Sequence, residues 1–171
     1  MQHKTTTLNG DFGLMIEGVT RSDLEDKDFQ REAYELWTRH GGLIAVRGDD
    51  LGETAPEQLM AWSEVFGAVE NNTLAARQDK MVPGFPILRI GNITDANGKE
   101  LAQTAKVEPL KSDAEIRYNP ESRRPVWHTD STFREHPPIG SVFHCRQAPP
   151  AGAATLFADT RGAFADLDDA T

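Results

Sequence analysis

The segment around residues 126–133 contains an imidazole and a carboxylate at a spacing that suits a metal ion. His128 and Asp130 are separated by one residue, and on an extended segment such side chains point to the same side of the backbone. One imidazole and one carboxylate are two of the three ligands of a facial triad that binds Fe(II) and leaves positions open for reaction. The pair alone is also compatible with a turn-capping carboxylate and a hydrogen-bonded core histidine.

Single residues elsewhere in the chain carry weaker chemical signals. Cys145 is the one cysteine, so an internal disulfide is excluded and a reducing compartment is favoured. The apolar run around Cys145 predicts a buried strand and favours a structural thiol over a catalytic one. His136 is expected on the surface and His144 on a strand, and Trp127 is expected to pack rather than to take part in chemistry.

The first part of the chain predicts alternating strands and helices that could position such a site. Hydrophobic periodicity and turn residues predict a strand at residues 13–19, a helix at 26–40, a buried strand at 43–46 and a helix that begins after Thr54 and stops at Gly67. Gly41 and Gly42 are typical of the end of a helix. Thr54 followed by Glu57 predicts a capping box at the second helix.

The second part of the chain predicts short consecutive strands. They are expected at residues 86–90, 127–132, 140–146 and 153–157, and a last helix begins at Arg161. Residues 91–125 are polar and irregular, which predicts a flexible loop close to His128. Strands with Pro and Gly turns are typical of a sandwich or barrel. They are too few here for a closed jelly roll, which needs about eight.

Length and composition describe an ordinary globular protein. The 171 residues, 38% of them hydrophobic, predict a single domain over residues 1–171. A formal charge of −9 argues against a nucleic-acid or anionic-membrane partner, since both favour a basic surface. No apolar run suits a membrane span or a secretion leader, so a cytoplasmic location is expected. A homo-oligomer stays open.

Several segments together resemble the Fe(II)- and 2-oxoglutarate-dependent dioxygenases of the taurine and chlorophenoxyacetate type. Residues 127–133, Trp-His-Thr-Asp-Ser-Thr-Phe, and the later Pro137-Pro138 are similar to that family's metal motif and the turn after it. Residues 151–159 are similar to the segment that carries the family's co-substrate threonine. Residues 43–48 and 65–67 stand where the family has a strand and a helix ending in Phe-Gly. The order of these motifs is far more specific than a lone His-x-Asp.

The resemblance implies that His128 and Asp130 bind Fe(II) and that Thr155 hydrogen-bonds a carboxylate of 2-oxoglutarate. A complete three-ligand triad would leave three iron positions open, two for the keto acid and one for O₂. The implied reaction hydroxylates a small-molecule substrate and decarboxylates 2-oxoglutarate to succinate. Asn92 and Arg124 are candidate substrate contacts. The implied fold class is α+β: an N-terminal αβ part leads into a double-stranded β-helix, the cupin-like jelly roll, which is incomplete in this chain.

The chain departs from the family after Thr155. The family's second metal histidine, and the arginine that pairs with the far carboxylate of 2-oxoglutarate, come later than the last residue, Thr171. The sequence therefore predicts the N-terminal portion of a larger dioxygenase domain, inactive as these 171 residues alone. Uncovered sheet edges and apolar faces predict poor solubility or association.

Two other interpretations stay open at this point. One is a non-catalytic truncated fragment that persists as an interaction module. The other is a cupin-like metal-dependent hydrolase in which His136 or His144 supplies a third ligand, although neither stands on the expected later strand. O₂ uptake that depends on the keto acid would identify the dioxygenase. Metal binding without O₂ chemistry would favour the hydrolase, and no metal binding the fragment.

Overall fold

The chain divides into two compact units. The computed structural model describes residues 3–70, 80–91, 93–94, 97–98, 100–102, 127–148 and 155–168. The first unit contains Met1–Ala68, Gly140–Gln147 and Phe157–Thr171, and the second unit contains Val69–Ile139 and Ala148–Leu156. The expectation of one domain over residues 1–171, with a flexible loop at 91–125, stays a prediction.

A three-stranded sheet in the order β1-β2-β3 lies in the first unit. Its strands are β1, Lys4–Asn9; β2, Phe12–Glu17; and β3, Ile44–Arg47. Strand β1 runs antiparallel to β2, with Thr6 opposite Met15, and β3 runs parallel to β2, with Ile16 opposite Val46. A parallel pair needs a crossover connection, which a helix supplies here. Strand β1, which is exposed throughout, is not predicted from the sequence because its three threonines give no apolar alternation.

Helix α1, Lys27–Arg39, makes that crossover. Its N-terminus is capped by the Asp26 side chain, which accepts hydrogen bonds from the amides of Asp28 (3.0 Å) and Phe29 (2.8 Å). Past its end, Gly41 and Gly42 both adopt a φ of 77°, a left-handed conformation that glycine reaches without steric cost. The predicted helix and its glycine end are confirmed.

Helix α2, Pro56–Glu64, begins one residue later than predicted. The capping box of Thr54 and Glu57 is wrong: the Thr54 hydroxyl donates to the Leu51 carbonyl (2.7 Å). The N-cap is Ala55, whose amide donates to Oε1 of Gln58 at 3.2 Å. Pro56 forces this choice, because the residue before a proline is pushed out of the helical region, and Ala55 has a ψ of 153°.

The hydrophobic core belongs to the first unit and joins β2, α1 and α2. Its buried apolar residues are Leu14, Ile16, Val19, Leu24, Phe29, Ala33 and Trp62. The rings of Phe29 and Trp62 stack with centroids 5.7 Å apart, and Phe66 meets the Trp62 ring edge-on at 5.3 Å. Leu36 and Phe66 pack against this core and are partly buried. Strand β3 is half-buried rather than buried, since it is an edge strand.

The second unit contains short pairings in place of the first predicted late strand. The strand expected at residues 86–90 is wrong: Met81 and Leu88 form an isolated bridge, extended by a bond from the Arg89 amide to the Lys80 carbonyl (2.8 Å). Two further strands, β4 (Ile93–Thr94) and β5 (Glu100–Ala102), pair antiparallel. They fall inside the predicted loop, and the rest of that loop lies almost wholly outside the described residues.

The later predicted strands are also wrong where the structure describes them. Residues 127–132, 140–146 and 155–157 have no strand, because a strand requires a partner backbone and no described residue forms a ladder with them. Cys145, expected to be buried, is exposed for the same reason. Helix α3, Thr160–Ala165, confirms the last predicted helix.

The described residues therefore form a mixed α+β structure with one small three-stranded sheet. They do not contain a jelly roll. None of the helices in the described ranges has the length and apolar character needed to cross a membrane.

Candidate functional site

His128 and Asp130 lie together in the second unit. Nε2 of His128 is 3.1 Å from Oδ1 of Asp130, and their side chains are 66% and 70% exposed. Asp130 begins a turn, so the extended segment assumed from the spacing is wrong. The turn nevertheless places both side chains on the same side, and solutes in water can reach their donor atoms.

The separation of these donor atoms fits a shared metal ion. Two donors that each lie about 2.1 Å from one ion, at right angles, are about 3.0 Å apart. Imidazole nitrogen and carboxylate oxygen are also the donor types of an Fe(II) facial triad. His128 and Asp130 thus fit two adjacent positions on Fe(II). The same distance allows an ion pair when His128 is protonated.

The turn that carries the pair contains an unusual backbone conformation. Ser131 follows Asp130 directly and has a φ of 60°, the one positive φ of a non-glycine residue in the described part of the chain. Such values are uncommon for residues that carry a Cβ. The turn closes with a hydrogen bond of 3.0 Å from the Arg134 amide to the Ser131 carbonyl.

Arg134 ties this turn to a residue far away in the sequence. Its guanidinium forms an ion pair with the Glu70 carboxylate, and the two side chains are 24% and 45% exposed. The same guanidinium lies 5.9 Å from the centroid of the Phe133 ring, a distance typical of a cation–π contact. The pairing of these two charged residues is not predicted from the sequence, because no spacing or motif connects them.

No third metal ligand joins the pair among the described residues. No group of three or more His, Cys, Asp or Glu side chains with metal-binding geometry occurs in the described part of the chain. Nε2 of His144 is occupied by a 2.7 Å hydrogen bond with the Leu51 carbonyl in the first unit. His136 is exposed. The described residues thus contain two candidate metal ligands, His128 and Asp130, which we call the half-site.

The remaining predicted site residues are placed only in part. Thr155 belongs to the second unit, as His128 and Asp130 do, and it is exposed, so its hydroxyl is open to a ligand. Asn92 and Arg124 lie outside the described residues. The roles of all five stay predictions.

Comparison with known proteins matches almost the whole chain. The family model described as "Taurine catabolism dioxygenase TauD, TfdA family" matches residues 4–171. A relative from Delftia acidovorans named an (S)-phenoxypropionate/alpha-ketoglutarate-dioxygenase is 26% identical over 97% of this chain and 49% of its own length. A relative from Saccharomyces cerevisiae named an alpha-ketoglutarate-dependent sulfonate dioxygenase is 24% identical over 95% of this chain and 35% of its own length.

A protein from Sphingobium herbicidovorans that has the same name as the Delftia relative is 25% identical over 95% of this chain and 47% of its own length. No solved structure gives a significant match. The chain thus spans about a third to half of the length of the curated relatives it matches. With the family model covering nearly every residue, the chain belongs to the TauD/TfdA family.

Proposed function

We propose that the protein to which this chain belongs is an Fe(II)- and 2-oxoglutarate-dependent dioxygenase that hydroxylates a small organic substrate. The observation that carries the proposal is the 3.1 Å approach of His128 Nε2 and Asp130 Oδ1, inside a segment that the dioxygenase family model covers. The relatives are named as alpha-ketoglutarate-dependent dioxygenases, which agrees with a keto-acid-dependent reaction.

In this proposal each residue of the chain has a defined task. The His128 imidazole and the Asp130 carboxylate hold Fe(II) from two adjacent positions. The Thr155 hydroxyl donates a hydrogen bond to a carboxylate of 2-oxoglutarate and orients it. When bound, Fe(II) supplies the activation of O₂ for attack on a C–H bond, which side chains alone cannot perform.

The proposed reaction balances without a further co-reactant. One atom of O₂ enters succinate and the other enters the hydroxylated product, while the carboxylate next to the keto group leaves as CO₂. Of the four electrons that reduce O₂, two come from decarboxylation of 2-oxoglutarate and two from the substrate C–H bond. The complete protein therefore needs sites for the keto acid, the substrate and a metal ion that would also take O₂.

We further propose that the remaining ligands and the jelly roll come from the part of the family's length that this chain does not span. A second histidine would complete the triad, and an arginine would hold the far carboxylate of 2-oxoglutarate in a bidentate pair. The share of the relatives' length that this chain covers, 49% and 35%, supports this division. The 171 residues alone are then expected to bind metal weakly and to turn over little.

The first test is metal binding by the chain and by two variants. Mn²⁺, a paramagnetic substitute for Fe(II), should broaden the NMR signals of the His128 ring, and Asp130→Ala should abolish that broadening. Glu135→Ala, which removes an exposed carboxylate of the same segment, should keep it. Metal affinity that Asp130→Ala leaves unchanged would sink the assignment. Iron-dependent O₂ uptake with 2-oxoglutarate then tests the reaction in the full-length protein.

We propose a small organic anion as the substrate class. A sulfonate and a phenoxypropionate, the compounds in the relatives' names, share a negative charge on a small organic body. Arg124 is the proposed anion contact and Asn92 a second polar contact. In the full-length protein, Arg124→Ala should raise the substrate KM and leave substrate-independent decay of 2-oxoglutarate unchanged. Equal loss of both would count against a substrate role.

A further inference from the structure

We propose that Glu70 and Arg134 are positioning residues for the half-site of His128 and Asp130. Their ion pair would hold the turn that brings the two ligands together. This inference rests on the proposed function, because it assigns the pair a purpose in metal binding. Neither residue touches the donor atoms, so both would act through the turn.

The half-site receives little support from packing. The His128 and Asp130 side chains are both about two-thirds exposed, and the following Phe133 is 86% exposed. An exposed turn samples many conformations unless specific contacts hold it. Two ligands that bind one ion must be held close to their bound geometry, otherwise binding loses affinity to their ordering.

The backbone conformation at Ser131 depends on its surroundings. A serine with a φ of 60° persists only where its surroundings over-determine it. Ser131 directly follows Asp130, so this conformation sets the direction in which the carboxylate leaves the turn. The closing bond from the Arg134 amide to the Ser131 carbonyl, 3.0 Å long, is one contact that maintains it.

Arg134 is itself held by contacts of its side chain. Its side chain is 24% exposed, far less than those of the two ligands, and its guanidinium pairs with Glu70 and lies over the Phe133 ring at 5.9 Å. A planar guanidinium held by a carboxylate and an aromatic face loses much of its freedom. Its backbone then fixes the end of the turn that Ser131 begins.

Neutral variants separate positioning from simple electrostatics. Glu70→Gln removes a negative charge, which by charge alone weakens cation binding, and Arg134→Gln removes a positive charge, which by charge alone strengthens it. If the pair positions the ligands, both variants should weaken Mn²⁺ binding by about tenfold, the lower end of the effect of residues that orient metal ligands. Glu135→Gln, which neutralises an exposed carboxylate next to Arg134, should change the Mn²⁺ affinity little.

A charge-reversed double variant provides the rescue. Glu70→Arg and Arg134→Glu should each weaken Mn²⁺ binding, whereas the double variant keeps the net charge and should recover to within about threefold of the parent chain. The affinity is read from Mn²⁺ broadening of the His128 ring signals, which the spectrum of His128→Gln identifies among the five histidines. Opposite shifts in the two neutral variants, or no rescue in the double variant, would overturn the inference.

A metal-free measurement keeps the inference distinct from the proposed function. The intraresidue nuclear Overhauser effect between the amide and α protons of Ser131 reports its φ without any metal, because these protons lie closer together at a positive φ than at a negative one. It should weaken in Glu70→Gln and Arg134→Gln and return in the charge-reversed double variant. If the parent chain shows no His128 broadening, the proposed metal role fails, while the Ser131 effect still decides whether the ion pair holds the turn. An unchanged effect in both neutral variants would refute the inference.

Discussion

Among the glycines of the described residues, Gly48 leaves the least room for a side chain. A Cβ added there would lie 1.6 Å from the carbonyl oxygen of Val19, an atom of the backbone that cannot turn aside. We expect Gly48→Ala to destabilise the first unit by about 3 kcal/mol, the upper range for overpacking. Gly140→Ala is the matched control, because its Cβ would meet the Trp37 ring at 3.8 Å, an ordinary contact. Urea unfolding followed by helical circular dichroism measures both, and equal midpoints would contradict the expectation.

Asp23 should make stability depend on pH. The hydroxyl and the amide of Thr20 both donate to its carboxylate at 2.7 Å, and chiefly the hydroxyl bond lowers the pKa of Asp23 below its ordinary value. A depressed pKa in the folded state stabilises the protein above the unfolded pKa, about 3.9. That contribution is lost as pH falls through the folded pKa.

We therefore expect Asp23→Asn to flatten the acid limb of the stability curve below about pH 4. Asp11→Asn removes a carboxylate from the exposed turn between β1 and β2 and serves as the control. Thermal unfolding at a series of pH values provides the measurement. The same acid limb in Asp23→Asn and in the parent chain would show that the Thr20 bonds carry no stability.

At this scale the sequence predicted that His128 and Asp130 share one side of the chain, but not the ion pair of Glu70 and Arg134. The spacing of the first pair is visible in the sequence because two ligand types one residue apart have a chemical meaning, and their role as metal ligands stays a prediction. Glu70 and Arg134 were not, because with 27 acidic and 18 basic residues any pairing is equally plausible until the turn places one charge beside another. Long-range ion pairs leave no periodic signal in a single sequence.

Helix α1 owes its starting point to one side chain. Asp26 accepts hydrogen bonds from two amides of the first turn that would otherwise lack a partner within the helix. Asp26→Ala should cost about 1 kcal/mol of stability, whereas Asp26→Asn should cost only a few tenths, since asparagine caps nearly as well. Urea unfolding compares the two, and equal losses would show that the carboxylate charge, rather than the cap, matters.

The helices and the parallel strand pair were predictable because their signals are local. Apolar periodicity, a proline near a helix start and glycines at a helix end all act within a few residues. The late strands were not, since a strand exists only with a partner backbone, and the partners of residues 127–132 and 140–146 are absent from the described residues.

The described part of the molecule exposes many large apolar side chains. In its later segments they are Phe133, Ile139, Phe143, Leu156, Phe157, Phe164 and Leu167, all more than 40% exposed. Patches of this kind mark association surfaces when they are contiguous. The net charge of −9 opposes association at low ionic strength.

We expect the chain to bind the dye ANS and to self-associate more strongly as salt is raised, because salt screens the repulsion and leaves the apolar contacts. Sedimentation velocity over a range of concentrations and ionic strengths measures this. Phe164→Ser should reduce association more than Ala165→Ser, a neighbouring helical change that removes little apolar area. A chain that stays monomeric under every condition would show that these side chains are not an association surface.

The position of the core along the chain has a consequence for synthesis. Every buried apolar side chain of the described residues lies between Leu14 and Trp62, whereas the ligand pair begins at His128. At about 5–20 residues per second, translation reaches the metal motif some seconds after the last core residue has been joined. Synthesis of the core is thereby separated in time from synthesis of the pair that we propose to hold iron, so free cellular metal meets no His–Asp pair while the core is forming.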